Sequence, residues 1–125
     1  RAFNKLRNHF GVNRIAQAGA LAALADGNYL ADVLGKIEAA KARIAEIGRA
    51  NGLAPLPSAT NFVTLDCGRD GDYARALVAA LAAEDIFVRM PFAAPQNRCI
   101  RISAGPDDAL NALAAALPLA LDKVK

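Results

Sequence analysis

The stretch Cys99-Ile100-Arg101-Ile102-Ser103-Ala104, followed at once by Gly105-Pro106-Asp107-Asp108, constrains this chain more than any other. Apolar and polar residues alternate along it, the period-two signature of a strand with two unlike faces. Ile100 and Ile102 are expected to point into a core, and Arg101 and Ser103 the other way. Gly105-Pro106 then starts a helix, with Asp107 and Asp108 at the positive end of its dipole. An arginine held centrally on a strand is a stiff, permanently charged fork suited to gripping a carboxylate. On pattern alone the plainer reading, an arginine on a solvated sheet face, stands ahead of it.

The remaining elements follow from spacing. Asn13 is a plausible N-cap for a helix carrying Ile15, Ala18, Leu21, Ala22 and Ala25, which ends near Asp26-Gly27-Asn28. A longer helix is expected over 29–50, with Val33, Ile37, Ala40, Ile44 and Ile47 as its apolar stripe. Glu38/Lys41 and Glu46/Arg49 are charge pairs on its outside, and Asn51-Gly52 stops it. The proline-rich stretch 53–58 reads as an extended connector. A strand over 61–67, a helix over 72–83 built on Ala76, Leu77, Ala80 and Leu81, a second strand over 86–90, the strand at 99–104 and a final helix complete the chain. Pro118 is expected to kink or end that last helix early.

The fold class is therefore α+β: two N-terminal helices followed by β-α-β-β-α. A right-handed crossover makes strands 61–67 and 86–90 parallel. The third strand is antiparallel to the second and lies between the two, giving a three-stranded mixed sheet with helices on one face.

Composition narrows function. With 125 residues, 54% of them hydrophobic, the chain is a single domain's worth of folded protein. A net charge of +3, with its basic residues dispersed, gives no footprint for nucleic acid. No long uncharged apolar run suggests a membrane span. Two cysteines fit a reducing cytoplasm better than a disulfide scaffold. The chain opens on Arg1 without a methionine, in what reads as mid-element sequence, so a carboxy-terminal piece of something larger is expected.

Among residues that carry chemistry, Arg89 on the neighbouring strand strengthens the case for Arg101, since two arginines on one sheet face make an anion site. A surface arginine near a strand end is the plainer alternative. Asn61 either meets a ligand or ties down its own loop. His9 is the sole histidine, which argues against a metal site. Cys67 and Cys99, at paired strand ends, read as small core residues. No lysine sits in an apolar setting that would make it a nucleophile, and no Gly-rich phosphate loop occurs. The residues offer an anion grip and no chemical engine.

Several stretches resemble one family. Arg7-Asn8-His9-Phe10-Gly11-Val12-Asn13-Arg14-Ile15-Ala16-Gln17-Ala18 resembles the segment after the cofactor lysine in fold type I pyridoxal-phosphate aminotransferases, the histidinol-phosphate aminotransferases above all. Thr60-Asn61-Phe62-Val63 resembles their T/S-x-NF strand. Phe87-Val88-Arg89 and Cys99-Ile100-Arg101-Ile102-Ser103-Ala104-Gly105 resemble their I-V-R and L-R-I-T/S-x-G motifs. The departures are Gly11, where those enzymes usually carry asparagine, and His9-Phe10 against their P-F/Y.

The resemblance implies the carboxy-terminal small domain over 13–125, with 1–12 as the connection from a large domain. It implies that Arg101 binds the substrate α-carboxylate, that Arg89 stands near the distal group, and that Arg7 reaches into a partner subunit's site. Pyridoxal phosphate would be bound by the absent large domain, whose Schiff-base lysine and phosphate cup are not in this segment. The segment alone is then expected to be inactive, and the whole a cytoplasmic homodimer acting on an amino acid or amino-phosphate and a 2-oxo acid. The alternatives are a decarboxylase of the same fold and a stand-alone α+β anion-binding or regulatory module.

Overall fold

The computed structural model describes residues 11–125. They fall into two compact units, one running to Leu34 and the other Gly35–Lys125. In the first, α1 (Arg14–Ala25) starts where expected, because Asn13 Oδ1 accepts the Ala16 N–H at 2.8 Å. Every residue of α1 is solvent-exposed, Ile15, Leu21 and Leu24 included. Asp26 caps α2 (Gly27–Ala50) through the Tyr29 N–H at 2.9 Å.

α2 ends in a Schellman turn. Leu53 N–H donates to the Gly48 carbonyl at 2.9 Å and Gly52 N–H to the Arg49 carbonyl at 3.1 Å. The turn requires a left-handed residue, and Gly52 supplies it at φ 76°. Leu53 is buried immediately afterwards, so the stop also delivers the chain to the sheet.

The sheet has three strands in the order β1 (Ala54–Pro55), β2 (Phe62–Asp66) and β3 (Cys99–Ser103), with antiparallel neighbours throughout. The register of β2 on β3 sets Phe62 opposite Ser103, Thr64 opposite Arg101 and Asp66 opposite Cys99. Val63, Leu65, Ile100 and Ile102 face the core. Ala40 and Ile44 of α2, Ala74, Leu77 and Leu81 of α3 (Gly71–Ala82), and Leu110, Leu113 and Leu117 of α4 (Asp107–Lys123) complete that core. The helices of this unit thus cover one face of the sheet. At the start of α3, Asp70 Oδ1 accepts the Tyr73 N–H at 2.9 Å.

Five expectations are corrected. The connector over 53–58 contributes β1, because Pro55 sits at an edge where its missing N–H is not needed. The stretch 86–90 makes a single bridge, Arg89 to Arg101, instead of a strand. Pro91, two residues beyond Arg89 and so on the same hydrogen-bonding side, has no N–H with which to continue the ladder. The bridge is antiparallel, so β3 does lie between 62–66 and 86–90, but the named strands form an antiparallel sheet, not a mixed one.

In α3 the buried small residues are Gly71 and Ala74, while Ala76 is exposed. α4 runs through Pro118 to Lys123, for Leu117 and Ala120 are buried on either side while the proline itself faces solvent. Burial of that stripe outweighs the lost hydrogen bond.

Candidate functional site: an arginine-bearing sheet face

The sheet face turned away from the helices carries Phe62, Thr64 and Asp66 from β2 and Cys99, Arg101 and Ser103 from β3, by strand alternation. Arg89 joins them. Its N–H donates to the Arg101 carbonyl at 3.1 Å, and the Arg101 N–H returns a bond to the Arg89 carbonyl at 2.6 Å. Residues paired in this way share a face, so the two arginines expected to converge are brought together. Arg101 is half-buried and Arg89 exposed.

The Arg101 guanidinium carbon lies 4.7 Å from the centre of the Phe62 ring, and that of Arg89 lies 5.9 Å from the Phe87 ring. An aromatic face orients a guanidinium without neutralising it. Among the described residues no carboxylate pairs with either arginine. The face therefore presents two uncompensated cations side by side, an arrangement that attracts a carboxylate or phosphate.

Asp66, the acid on the same face, is fully occupied. Its Oδ1 accepts the Gly68 N–H at 2.8 Å, while Oδ2 accepts Arg98 Nε at 3.0 Å and Nη2 at 2.6 Å. The Gly68 bond, and then Arg98, hold the carboxyl below its ordinary value against the opposing effect of burial. The same hydrogen bond raises the Arg98 guanidinium.

Burial pushes the Cys67 thiol up to about 11, and burial raises Cys99 as well. Both cysteines are free, buried and protonated at neutral pH, which removes them as nucleophiles. Among the described residues no cluster of His, Cys, Asp and Glu could hold a metal.

Asn61 is exposed and its carbonyl accepts the Ala104 N–H at 2.8 Å; its loop is tied instead by Ser58, whose hydroxyl reaches the Phe62 carbonyl at 2.5 Å. Lys41 is held by Glu38 at 2.8 Å, Lys123 by Glu84 at 2.5 Å and Lys125 by Asp122. None of these three lysines is presented on the arginine face. With their amines committed to carboxylates, these three lysines do not by themselves fit pyridoxal phosphate. Arg7 and His9 lie outside the described residues.

Two grooves of about 340 and 300 Å³ lie elsewhere. One runs between α2 and Pro55–Ser58, the other between 85–88 and the start of α4. Neither is lined by Arg89 or Arg101. Sequence reasoning missed Phe62 and Arg98 as its supporting residues. Strand parity alone places 62, 64 and 66 on one face, but pairing them with 99, 101 and 103 needs the register.

An α+β layer with two arginines side by side on the sheet face turned away from its helices is the class of structure the described residues define. No family model matches the chain. It is 35% identical over 118 residues to histidinol-phosphate aminotransferase 1 of Cupriavidus pinatubonensis, covering 94% of this chain and 31% of that protein. It is 33% identical over 105 residues to the histidinol-phosphate aminotransferase of Bacillus velezensis, covering 84% of this chain and 28% of the relative.

Among solved structures, histidinol-phosphate aminotransferase from Sinorhizobium meliloti, in complex with pyridoxal-5'-phosphate, superposes with a TM-score of 0.91 at 55% identity. That match covers 99% of this chain and 34% of the other. A putative aminotransferase from Burkholderia pseudomallei, 24% identical with a TM-score of 0.72, shares the fold. The chain spans about a third of the length of these relatives. The chain is thus homologous to the histidinol-phosphate aminotransferases, and these similarities support a fragment of a pyridoxal-phosphate-dependent aminotransferase of fold type I.

Proposed function

We propose that this chain is the carboxy-terminal small domain of an aminotransferase and that Arg101 binds the acid group of its substrate. The observation carrying this reading is a half-buried guanidinium, stacked on Phe62 with Arg89 beside it and no carboxylate partner among the described residues. The whole enzyme would move an amino group between an amino acid or amino-phosphate and a 2-oxo acid. In histidinol phosphate a phosphate ester stands where an amino acid carries its carboxylate, and one guanidinium fork accepts either.

Arg89 would stand near the substrate's distal group, and Arg7 would reach a partner subunit's site in a homodimer. Residues 1–12 would connect to the large domain, which would hold pyridoxal phosphate. Closing the small domain over the substrate would bring Arg101 onto the acid group and exclude water.

The test is Arg101→Ala in the full-length holoenzyme, following the half-reaction with L-glutamate by cofactor absorbance. Loss of one carboxylate–guanidinium contact should cost about 2–5 kcal/mol in the apparent second-order constant. The resting cofactor spectrum should stay unchanged. Unaltered kinetics with L-glutamate would remove Arg101 from the site.

A further inference from the structure

Arg101 has two diagonal neighbours on its own sheet face. It sits opposite Thr64, with Phe62 (opposite Ser103) on one side and Asp66 (opposite Cys99) on the other. Diagonal neighbours across an antiparallel ladder stand about 7–8 Å apart, within reach of a long side chain. An acid is the stronger attractor of the two, since a full charge draws a guanidinium more than a phenyl face does. Yet the guanidinium lies over Phe62, 4.7 Å from the ring centre.

The reason is visible at Asp66. Both N–H groups that Arg98 directs at it converge on Oδ2, at 3.0 and 2.6 Å, and the Gly68 N–H takes Oδ1 at 2.8 Å. Both oxygens of Asp66 are engaged and its charge is matched. Arg98 sits at the end of the short 3-10 turn Gln96–Arg98 that leads directly into β3, so the clasp forms three residues before Arg101.

We infer that Arg98 is a positioning residue for Arg101: by saturating Asp66 it keeps that acid from drawing Arg101 across the face, and so leaves the Arg101 fork free for an incoming carboxylate. This inference rests on the reading of Arg101 as the substrate's anchor. Removing Arg98 would create an internal competitor. If Arg101 then rests on Asp66 about nine-tenths of the time, apparent affinity for the substrate falls about tenfold, because only the free fraction binds.

The experiment is the half-reaction of the full-length holoenzyme with L-glutamate, giving an apparent Kd and a limiting rate for each variant. Arg98→Ala should raise the Kd about tenfold while the limiting rate changes by less than about threefold. Asp66→Asn added to Arg98→Ala should return the Kd to within about threefold of the parent, since the amide carries no charge to compete.

A purely structural ion pair predicts lost stability with the Kd and the limiting rate worsening together, and that result, or a double variant as weak as Arg98→Ala or weaker, overturns the inference. So does an unchanged Kd in Arg98→Ala. Where Arg98→Ala does not fold, Arg98→Gln keeps much of the length without the charge and should give the same pattern. Failure of both to fold would mark the pair as structural and overturn the inference too. Arg101→Ala separates the two levels. If it leaves the Kd unchanged, the anchor reading fails; if it raises the Kd while Arg98→Ala does not, only the positioning role fails.

Discussion

Gly48 tests how closely α2 is seated on the sheet. A Cβ built on Gly48 would stand 2.8 Å from Leu65 Cδ2, 3.0 Å from Cδ1 and 3.4 Å from Cγ. Ordinary carbon contacts lie at about 3.5–4.0 Å, so two atoms would have to yield by about half an ångström or more. Leu65 is wholly buried and cannot simply swing aside. Gly48→Ala gains about 1 kcal/mol of helix propensity and loses about 1–3 kcal/mol to overpacking, so a net destabilisation of about 0–2 kcal/mol is expected. Leu65→Val removes the δ carbons and should by itself cost about 1 kcal/mol.

In that valine background Gly48→Ala should become stabilising. The coupling between the two positions should then reach about 1–3 kcal/mol of favourable sign. Urea denaturation of the four proteins, followed by circular dichroism, gives the cycle directly. Equal effects of Gly48→Ala in both backgrounds, within about 0.5 kcal/mol, would refute the close helix–sheet approach from which the numbers were worked.

Asp66, held below its ordinary 3.8, stabilises the fold above that pH. Its contribution is lost as pH falls through the folded value, so Asp66→Asn should lower the Tm at pH 7 and lose that effect toward pH 2. Cys67, pushed up from 9.0 to about 11, acts in the opposite range. Its stabilisation is full below pH 9 and fades as pH rises toward 11, seen as an alkaline fall in Tm that Cys67→Ala diminishes. Both thiols should resist iodoacetamide at pH 8 until urea unfolds the chain. Asp70→Ala removes the cap on Tyr73 N–H and should cost about 1 kcal/mol by urea titration.

Much of the architecture was legible in the sequence because it rests on local rules. Asn13 and Asn51-Gly52 mark helix ends by chemistry that acts within a few residues. The alternation Val63, Leu65, Ile100, Ile102 names a buried face without reference to any partner. What was not legible depends on contacts that no local pattern encodes. The missing N–H of Pro91 helped hold an expected strand to one bridge, and burial of Leu117 and Ala120 carried α4 through Pro118. For the same reason Arg101 could be picked out as a candidate while its neighbours Phe62 and Arg98 could not.

The arginine face depends on the β2/β3 register more than on any single side chain. A slip of one residue would turn Arg101 into the core and Ile102 out of it, which the burial of Val63, Leu65, Ile100 and Ile102 forbids. A slip of two keeps every residue on its proper face and so escapes that penalty. In one direction it would set Arg101 directly opposite Asp66 and in the other opposite Phe62, given the observed pairing with Thr64. The first would bury the fork in an internal ion pair. The clasp of Arg98 on Asp66, with the Cys67 N–H bonded to the Arg98 carbonyl at 3.2 Å, joins the end of β2 to the start of β3 in the observed alignment. Hydrophobic patterning thus selects the face, and a polar clasp at one end of the ladder selects among the registers that patterning leaves equivalent.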